Sequence, residues 1–390
     1  MGKENDPLRL GREDMNPDWN VQSRQPGYRL EKLNTLAYGK GDVPTCEITG
    51  LSAGVKMITP YITLYFSTRE DAKNGWRGIM YKLCPLLGPL RSRPPIVGSE
   101  EERARRKRTL DISLRALIDL TKAEASASLE GRRYALAIPA AIQTLKFASE
   151  VHGASSGHPD VVSAYLLLGE AHLGLANINE AEDYLSKANV GIMRYKDEVP
   201  NRLNARMHRA FGKLFLSKRR HVLALKHAAT AVYHTSLDVG PEHIETSFAY
   251  FDCAAVFFEM RRIEQGLAFY DKVVDIWYKY LAALSEDDDD DDVSTTQDHT
   301  RHAHLKMIEA AREMLTKVYD ARRRLLGDTH IATGEASYTL GLLYMFLGDS
   351  AQGRKWIGLA HDVSNSQLGS EHPSTKDIAR ALSEISVTSS

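Results

Sequence analysis

The chain has 390 residues, of which 50 are Lys or Arg and 51 are Asp or Glu, giving a net charge of −1. A general nucleic-acid-binding protein would carry a basic excess, so this class is not expected. The three cysteines, Cys46, Cys84 and Cys253, cannot form a disulfide framework and favour a reducing compartment. We identify neither a signal peptide nor an apolar run that could span a membrane, so we expect a cytosolic or cytoskeletal protein.

Residues 1–43 contain several prolines and glycines and lack a regular apolar period. This composition predicts an extended N-terminal arm. Two of its aromatic residues, Trp19 and Tyr28, could anchor the arm on a partner or on the rest of the chain.

The segment 44–91 contains Cys46 and Cys84, with Trp76 and an apolar run between them. In this order the residues resemble a MYND zinc finger, a small module in which Cys and His side chains bind zinc. The resemblance implies that both cysteines keep ligand positions and that four other residues stand at or near lost ones: Thr49, Phe66, Glu70 and Met80. Two remaining ligands cannot hold Zn²⁺ tetrahedrally, so we expect a metal-free module that packs against the first helices.

Two sequence marks recur from about residue 157 onwards, with a period of 42 to 43 residues or twice that. One is a small residue followed twelve positions later by another, as in Gly169 with Ala181, Gly212 with Ala224, and Gly341 with Gly353. Because small residues let antiparallel helices approach closely, each repeat is predicted to be a helix pair. The other mark is a turn with Gly or Pro beside a histidine, namely His158, His243, His330 and His372. These histidines repeat with the architecture, which favours helix caps over catalytic groups.

The helix pairs resemble the tetratricopeptide repeat, and their extra length resembles the kinesin light-chain variety. The predicted fold is an all-α, right-handed α-solenoid that follows the MYND-like module and the arm. Its repeats occupy residues 100–284 and 301–384, with an acidic loop at 285–300 between them. The like charges of Glu286 and Asp287–Asp292 indicate a solvated insertion, and a contact with a basic partner surface is the alternative.

Stacked helix pairs bind peptides, helices and other proteins, and they seldom carry catalysis. We therefore expect no cofactor, no metal and no nucleic-acid or membrane partner, and we place Cys253 at a packing position. The basic runs at 103–108, 218–221 and 322–324 are predicted to be solvated helix faces, with docking to an acidic partner as the alternative. Candidate partner-binding residues lie on the inward helix faces, and these are Tyr165, His172, His208, Phe215, Tyr250 and Phe257.

A more specific resemblance comes from the order of longer segments. These segments are the MYND-like module, Leu86–Arg91, Ser99–Arg103, Ile138–Phe147 and Ala164–Ala171. Together they resemble the MYND-domain-containing protein twelve family of motile cilia. The resemblance implies a non-enzymatic structural protein of the ciliary or flagellar axoneme. It also implies association with a single-headed inner-arm dynein heavy chain, a second tetratricopeptide repeat protein and doublet microtubules.

Two other functions stay open from the sequence. The kinesin light-chain-like period favours a cytosolic cargo adaptor or a dynein preassembly factor. Other MYND proteins include lysine methyltransferases, but this chain lacks a candidate cofactor-binding strand region and is predicted to be almost entirely helical.

Overall fold

The structure is a computed structural model, and it describes residues 27–34, 38, 43–91, 99–153, 157–195, 199–286 and 297–388. The chain divides into two compact units, residues 1–203 and residues 204–390. Within the described ranges, no helix combines the length and the apolar character that crossing a membrane requires.

The first unit begins with a three-stranded antiparallel sheet, in the order β1 (Arg29–Lys32), β2 (Val55–Ile58), β3 (Thr63–Phe66). Leu30 pairs with Met57, which pairs with Leu64, so these three buried side chains share one face of the sheet. Helical segments follow, namely α1 (Arg69–Gly75), a π-helical turn (Trp76–Met80) and α2 (Tyr81–Arg91). The sheet and these segments share one core with the helices that come next, as the sequence predicts.

Long helices form the rest of both units. The first unit continues with α3 (Glu100–Glu130), α4 (Tyr134–His152), α5 (Pro159–Gly174) and α6 (Ile178–Arg194). Next come α7 (Asn201–Ser217), α8 (His221–Val239), α9 (Ile244–Glu259), α10 (Ile263–Glu286), α11 (Gln297–Leu326), α12 (Ile331–Phe346), α13 (Ser350–Leu368) and α14 (Pro373–Thr388). Consecutive helices pack in pairs: α3 with α4, α5 with α6, α7 with α8, α9 with α10, and α12 with α13. The predicted fold class, an α-solenoid of tetratricopeptide-like helix pairs after a small module, is confirmed.

The small residues lie where the helices of a pair approach closely. A Cβ atom on Gly212 would lie 3.7 Å from the carbonyl oxygen of Ala224. A Cβ atom on Gly341 would lie 3.2 Å from the carbonyl oxygen of Gly353 and 2.3 Å from Cγ1 of Ile357. The predicted pairing of small residues twelve positions apart is therefore confirmed in both helix pairs.

The turn histidines cap helices, as predicted. The imidazole Nδ1 of each accepts a hydrogen bond from the backbone N–H two residues later, at 3.2 to 3.3 Å. This bond satisfies one of the free donors at a helix N-terminus. The four capping residues are His158, His243, His330 and His372.

The predicted arm at residues 1–43 is partly incorporated into the module. Its residues Arg29–Lys32 form β1, which supplies hydrogen-bond partners to one edge of β2. Tyr28 is buried beside Trp76, with the ring centroids 4.9 Å apart. The module therefore begins before residue 44, whereas Trp19 lies outside the described residues.

The repeats extend into the predicted acidic loop at 285–300 from both sides. Helix α10 continues to Glu286, and α11 begins at Gln297. Residues 287–296, which include Asp287–Asp292, lie outside the described residues. Helix α3, the first long helix, begins at Glu100.

One basic run differs from its prediction as a solvated face. Arg322 has no exposed surface, whereas Arg323 and Arg324 are exposed. The prediction is wrong for Arg322 because its guanidinium donates hydrogen bonds inside the second unit, to the carbonyl oxygen of Ala332 and to the Asp271 carboxylate.

Candidate partner-binding surfaces

The six candidate contact residues share one environment, because each packs between the two helices of its own pair and is half-buried. In each pair, two residues seven positions apart face a third ring that lies nineteen positions after the first. Ring centroids in these sets are 5.1 to 6.5 Å apart. We call them the aromatic triads, and they are Tyr165, His172 and Tyr184; His208, Phe215 and His227; and Tyr250, Phe257 and Phe269.

The aromatic triads have a packing role within each helix pair. The third ring of each triad comes from the second helix, so the three side chains stabilise the packing of the two helices against each other. Their half-buried edges are the surface left for a partner, and partner contact by these six residues stays a prediction.

The triad between α7 and α8 contains two histidines. The Nδ1 atoms of His208 and His227 are 2.9 Å apart, and the ring of His234 stacks on His208 with centroids 5.9 Å apart. Burial, together with the nearby His227 and His234, lowers the pKa of His208 to about 4. Burial also lowers the pKa values of His227 and His234. The rings are therefore neutral at pH 7, and one Nδ1–H group donates to the other Nδ1.

A small polar cluster surrounds Cys46 in the MYND-like module. The Cys46 Sγ accepts hydrogen bonds from the backbone N–H groups of Ile48 and Thr49, at 3.4 and 3.3 Å. The hydroxyl oxygens of Thr49 and Ser67 are 2.5 Å apart. Burial alone would raise the pKa of the Cys46 thiol, but hydrogen bonds from Ser67 and Thr49 outweigh burial and lower this pKa. Hydrogen bonds thus tie this turn to the end of β3.

The other residues at implied zinc-ligand positions lie apart from this cluster. Phe66 and Met80 are fully buried in the apolar core, and Glu70 is exposed in the first turn of α1. Cys84 is also fully buried, and burial raises the pKa of its thiol to about 11. Ser67, which directly follows β3, also contributes to the cluster, and the sequence alone does not predict this.

Glu47 joins the module to α4. Its carboxylate accepts hydrogen bonds from Arg91 and Lys146, each at 2.8 Å, and its carbonyl oxygen accepts one from the Gln143 side chain at 2.8 Å. Burial opposes ionisation, but Arg91 and Lys146 outweigh it and keep the pKa of Glu47 below its usual value. This contact could not be predicted from the sequence, because the partners of Glu47 lie far from it along the chain.

One group of potential metal ligands, His152, His158 and Asp160, lies within the described residues. The two imidazole rings stack with centroids 3.4 Å apart and planes 9° apart. Because a ring nitrogen binds metal in the plane of its ring, two nearly parallel planes offer no shared coordination point. Lys122 also places its ammonium 3.7 Å from the Asp160 carboxylate. Of this group, His158 caps α5, and the stacked geometry of the two rings does not favour a metal centre.

A groove of about 520 Å³ lies in the second unit, between α10, α12, α13 and α14. We call it the C-terminal groove. Four of its lining residues are acidic and none is basic, and the acids are Asp271, Asp275, Glu335 and Asp377. Its apolar side chains include Tyr278 and Leu368, which are 44% and 41% exposed. The groove thus combines exposed apolar surface with carboxylates.

Arg322 lies behind one wall of this groove. Its Nη1 donates to the carbonyl oxygen of Ala332 at 2.6 Å, and its Nη2 donates to Asp271. Its side chain is completely buried, whereas that of Asp271 is 64% exposed. The Arg322 Nε atom has no hydrogen-bond partner among the described residues. One acid of the groove is therefore neutralised from inside the protein.

The helix pairs define the fold as a tetratricopeptide-like helical repeat. No family model matches the chain. It is similar to the apo form of RapI, with 12% identity, a TM-score of 0.35 and coverage of 70% of this chain and 72% of that chain. It is also similar to putative kinesin light-chain repeats from Podospora anserina, with 12% identity, a TM-score of 0.33 and coverage of 66% and 97%. A third match is pilF from Pseudomonas aeruginosa, with 14% identity, a TM-score of 0.33 and coverage of 69% and 99%.

Proposed function

We propose that the protein is a non-enzymatic adaptor that binds another protein through the C-terminal groove. The observation that carries this proposal is the exposed apolar surface of the groove, which includes Tyr278 and Leu368. Grooves between stacked helix pairs are the surfaces that repeat proteins of this class use for recognition. A protein segment would bury the apolar side chains and leave the surrounding helices unchanged.

We further propose that the adaptor acts in the axoneme of a cilium or flagellum. The support is the resemblance carried by the MYND-like module and the segments Leu86–Arg91, Ile138–Phe147 and Ala164–Ala171. In this role it helps to anchor a single-headed inner-arm dynein heavy chain on doublet microtubules, together with a second tetratricopeptide repeat protein.

Fractionation of isolated cilia tests the axonemal proposal. Membranes are removed with detergent, the axonemes are extracted with high salt, and each fraction is probed for the protein beside tubulin and dynein markers. We expect the protein to stay with detergent-treated axonemes and to leave with the salt-extracted dyneins, because salt weakens contacts between charged surfaces. A protein found only in the cell body would contradict the axonemal role.

The second candidate is a cytosolic cargo adaptor or dynein preassembly factor. The observation that favours it is the repeat period of 42 to 43 residues, which resembles that of kinesin light chains. Recovery from the cell body in a complex with unassembled dynein, and from no axonemal fraction, would support this candidate over the first.

A further inference from the structure

The C-terminal groove has a charge pattern that restricts its occupant. Its four acidic side chains come from three different helices, α10, α12 and α14, and no basic residue lines it. Of these acids, Glu335 is exposed and makes no ion pair among the described residues. The groove therefore offers negative charge without a matching positive charge in its own lining.

Two of the remaining acids have partners that a ligand can replace at small cost. Asp275 pairs with Lys279 at 2.8 Å and lies 3.8 Å from Lys272, and the side chains of Asp275, Lys279 and Lys272 are 41%, 62% and 34% exposed. Asp377 lies 3.4 Å from Arg380, with side chains 66% and 71% exposed. Exposed ion pairs contribute little to stability because water already solvates both charges. Both carboxylates are consequently available to an incoming cation.

The apolar side chains of the groove add a requirement for apolar side chains on the ligand. The rings of Tyr278 and Tyr338 have centroids 6.1 Å apart, and Ile331 and Ile378 line the groove beside them. A tyrosine face attracts a guanidinium as well as an apolar side chain. A ligand that matches this lining carries apolar side chains next to arginine or lysine.

We propose that the C-terminal groove binds a basic amphipathic segment of a partner protein. This inference rests on the proposed adaptor function and adds the chemistry of the segment that is recognised. Arginines of the segment pair with Glu335, Asp377 and Asp275, while its apolar face covers Tyr278 and Leu368.

A binding assay with a defined probe tests this inference on the full chain. The probe is a fluorescent amphipathic peptide of about 18 residues with Leu on one face and Arg on the other, and its partner probe has Glu in place of Arg. Fluorescence anisotropy measures binding of each peptide at low and high salt. We expect the Arg peptide to bind, the Glu peptide not to bind, and the affinity for the Arg peptide to fall with added salt.

Matched charge variants separate groove binding from general attraction. The groove variant is Glu335→Gln with Asp377→Asn, and the control variant is Glu264→Gln with Glu309→Gln, which neutralises two exposed acids outside the groove. We expect the groove variant to bind the Arg peptide with an affinity about tenfold lower than that of the natural protein. The control variant should change the affinity for the Arg peptide less than about twofold. All four substitutions are at exposed positions, and equal melting temperatures would show that the variants are folded.

A second variant, Leu368→Ser, tests the apolar contact without changing the charge of the groove. We expect it also to lower the affinity for the Arg peptide. Equal weakening by the groove and control variants would show non-specific charge attraction and would overturn the inference, as would an absence of Arg-peptide binding. Such a failure leaves the axonemal fractionation result unaffected, so failure of the inference and failure of the axonemal role are distinguishable.

Discussion

His208 and His227 share a hydrogen bond across the α7–α8 pair, with their Nδ1 atoms 2.9 Å apart. The equivalent positions of the preceding repeat hold Tyr165 and Tyr184. A pair of neutral imidazoles thus stands where a neighbouring pair of helices uses two phenol rings. Since a doubly protonated imidazole pair has no acceptor, this contact depends on pH.

We expect this contact to make the protein less stable as the pH falls from about 6.5 to 4. The folded-state pKa of His208 is lowered to about 4 from 6.5, so the unfolded chain binds more protons in this window. The contribution is present above pH 6.5 and is lost as the pH falls through the window. His234 and Lys226 add to the repulsion once the rings are charged.

The double variant His208→Tyr with His227→Tyr tests this expectation, because it keeps two rings and removes their titration. Urea unfolding measures the free energy of unfolding of both proteins at pH 7 and pH 5. The decrease between these pH values should be about 1–2 kcal/mol smaller in the variant than in the natural protein, after allowance for solvent screening. An identical pH dependence in both proteins would contradict a role for the histidine pair.

Gly341 tests the close approach of α12 and α13. A Cβ atom there would lie 3.1 Å from the backbone N of Ile357 and 3.2 Å from the carbonyl oxygen of Gly353. We expect Gly341→Ala to destabilise the second unit by about 2–3 kcal/mol, because the helices must separate. The control is Gly358→Ala on α13, where nothing lies within 4 Å of the new Cβ, and a gain of about 0.5–1 kcal/mol is expected. Equal effects of both substitutions in thermal unfolding would refute the close-packing role.

Glu47 tests the attachment of the module to α4. We expect Glu47→Gln to destabilise the first unit by about 1–2 kcal/mol at pH 7, because Arg91 and Lys146 lose a largely buried anionic partner. The contribution of the carboxylate is present above its unfolded pKa and is lost as the pH falls through its lowered folded pKa. Glu70→Gln is the matched control, because Glu70 is exposed in the same module, and its unfolding curve should stay close to that of the natural protein.

Arg322 tests whether a buried charge stabilises the second unit. The Nε atom of Arg322 has no partner among the described residues, and its ionic partner Asp271 is largely exposed. The cost of burying the Arg322 guanidinium is therefore poorly offset by these contacts. We expect Arg322→Met to change stability by less than about 1 kcal/mol, whereas Arg322→Ala should cost about 3 kcal/mol because it leaves a cavity. A large loss in the Met variant, measured by urea unfolding, would show that the charge itself stabilises the fold.

The repeat architecture could be predicted from sequence because its determinants are local and periodic. Gly212 and Ala224 are small for the same reason as Gly341 and Gly353, and the capping histidines recur directly before first helices such as α9 and α12. Such features need only the spacing along the chain and the geometry of a helix.

The parts that could not be predicted depend on contacts between distant residues. Arg322 appeared as one member of a basic run, and only the carbonyl oxygen of Ala332 and the Asp271 carboxylate explain its burial. Strand β1 could not be predicted within the arm, because its four residues are too few to show a clear period. They form a strand because they pair with β2. The C-terminal groove likewise draws its acids from three separate helices, so no short sequence window contains it.

The most direct test of the adaptor proposal is the sedimentation of the protein in the salt extract of isolated axonemes. A sucrose gradient of this extract separates dynein complexes from free small proteins, and antibodies locate the protein in its fractions. The account predicts that the protein sediments in the same peak as one inner-arm dynein heavy chain and a second tetratricopeptide repeat protein. Sedimentation as a free chain, with every dynein heavy chain in other fractions, would contradict it.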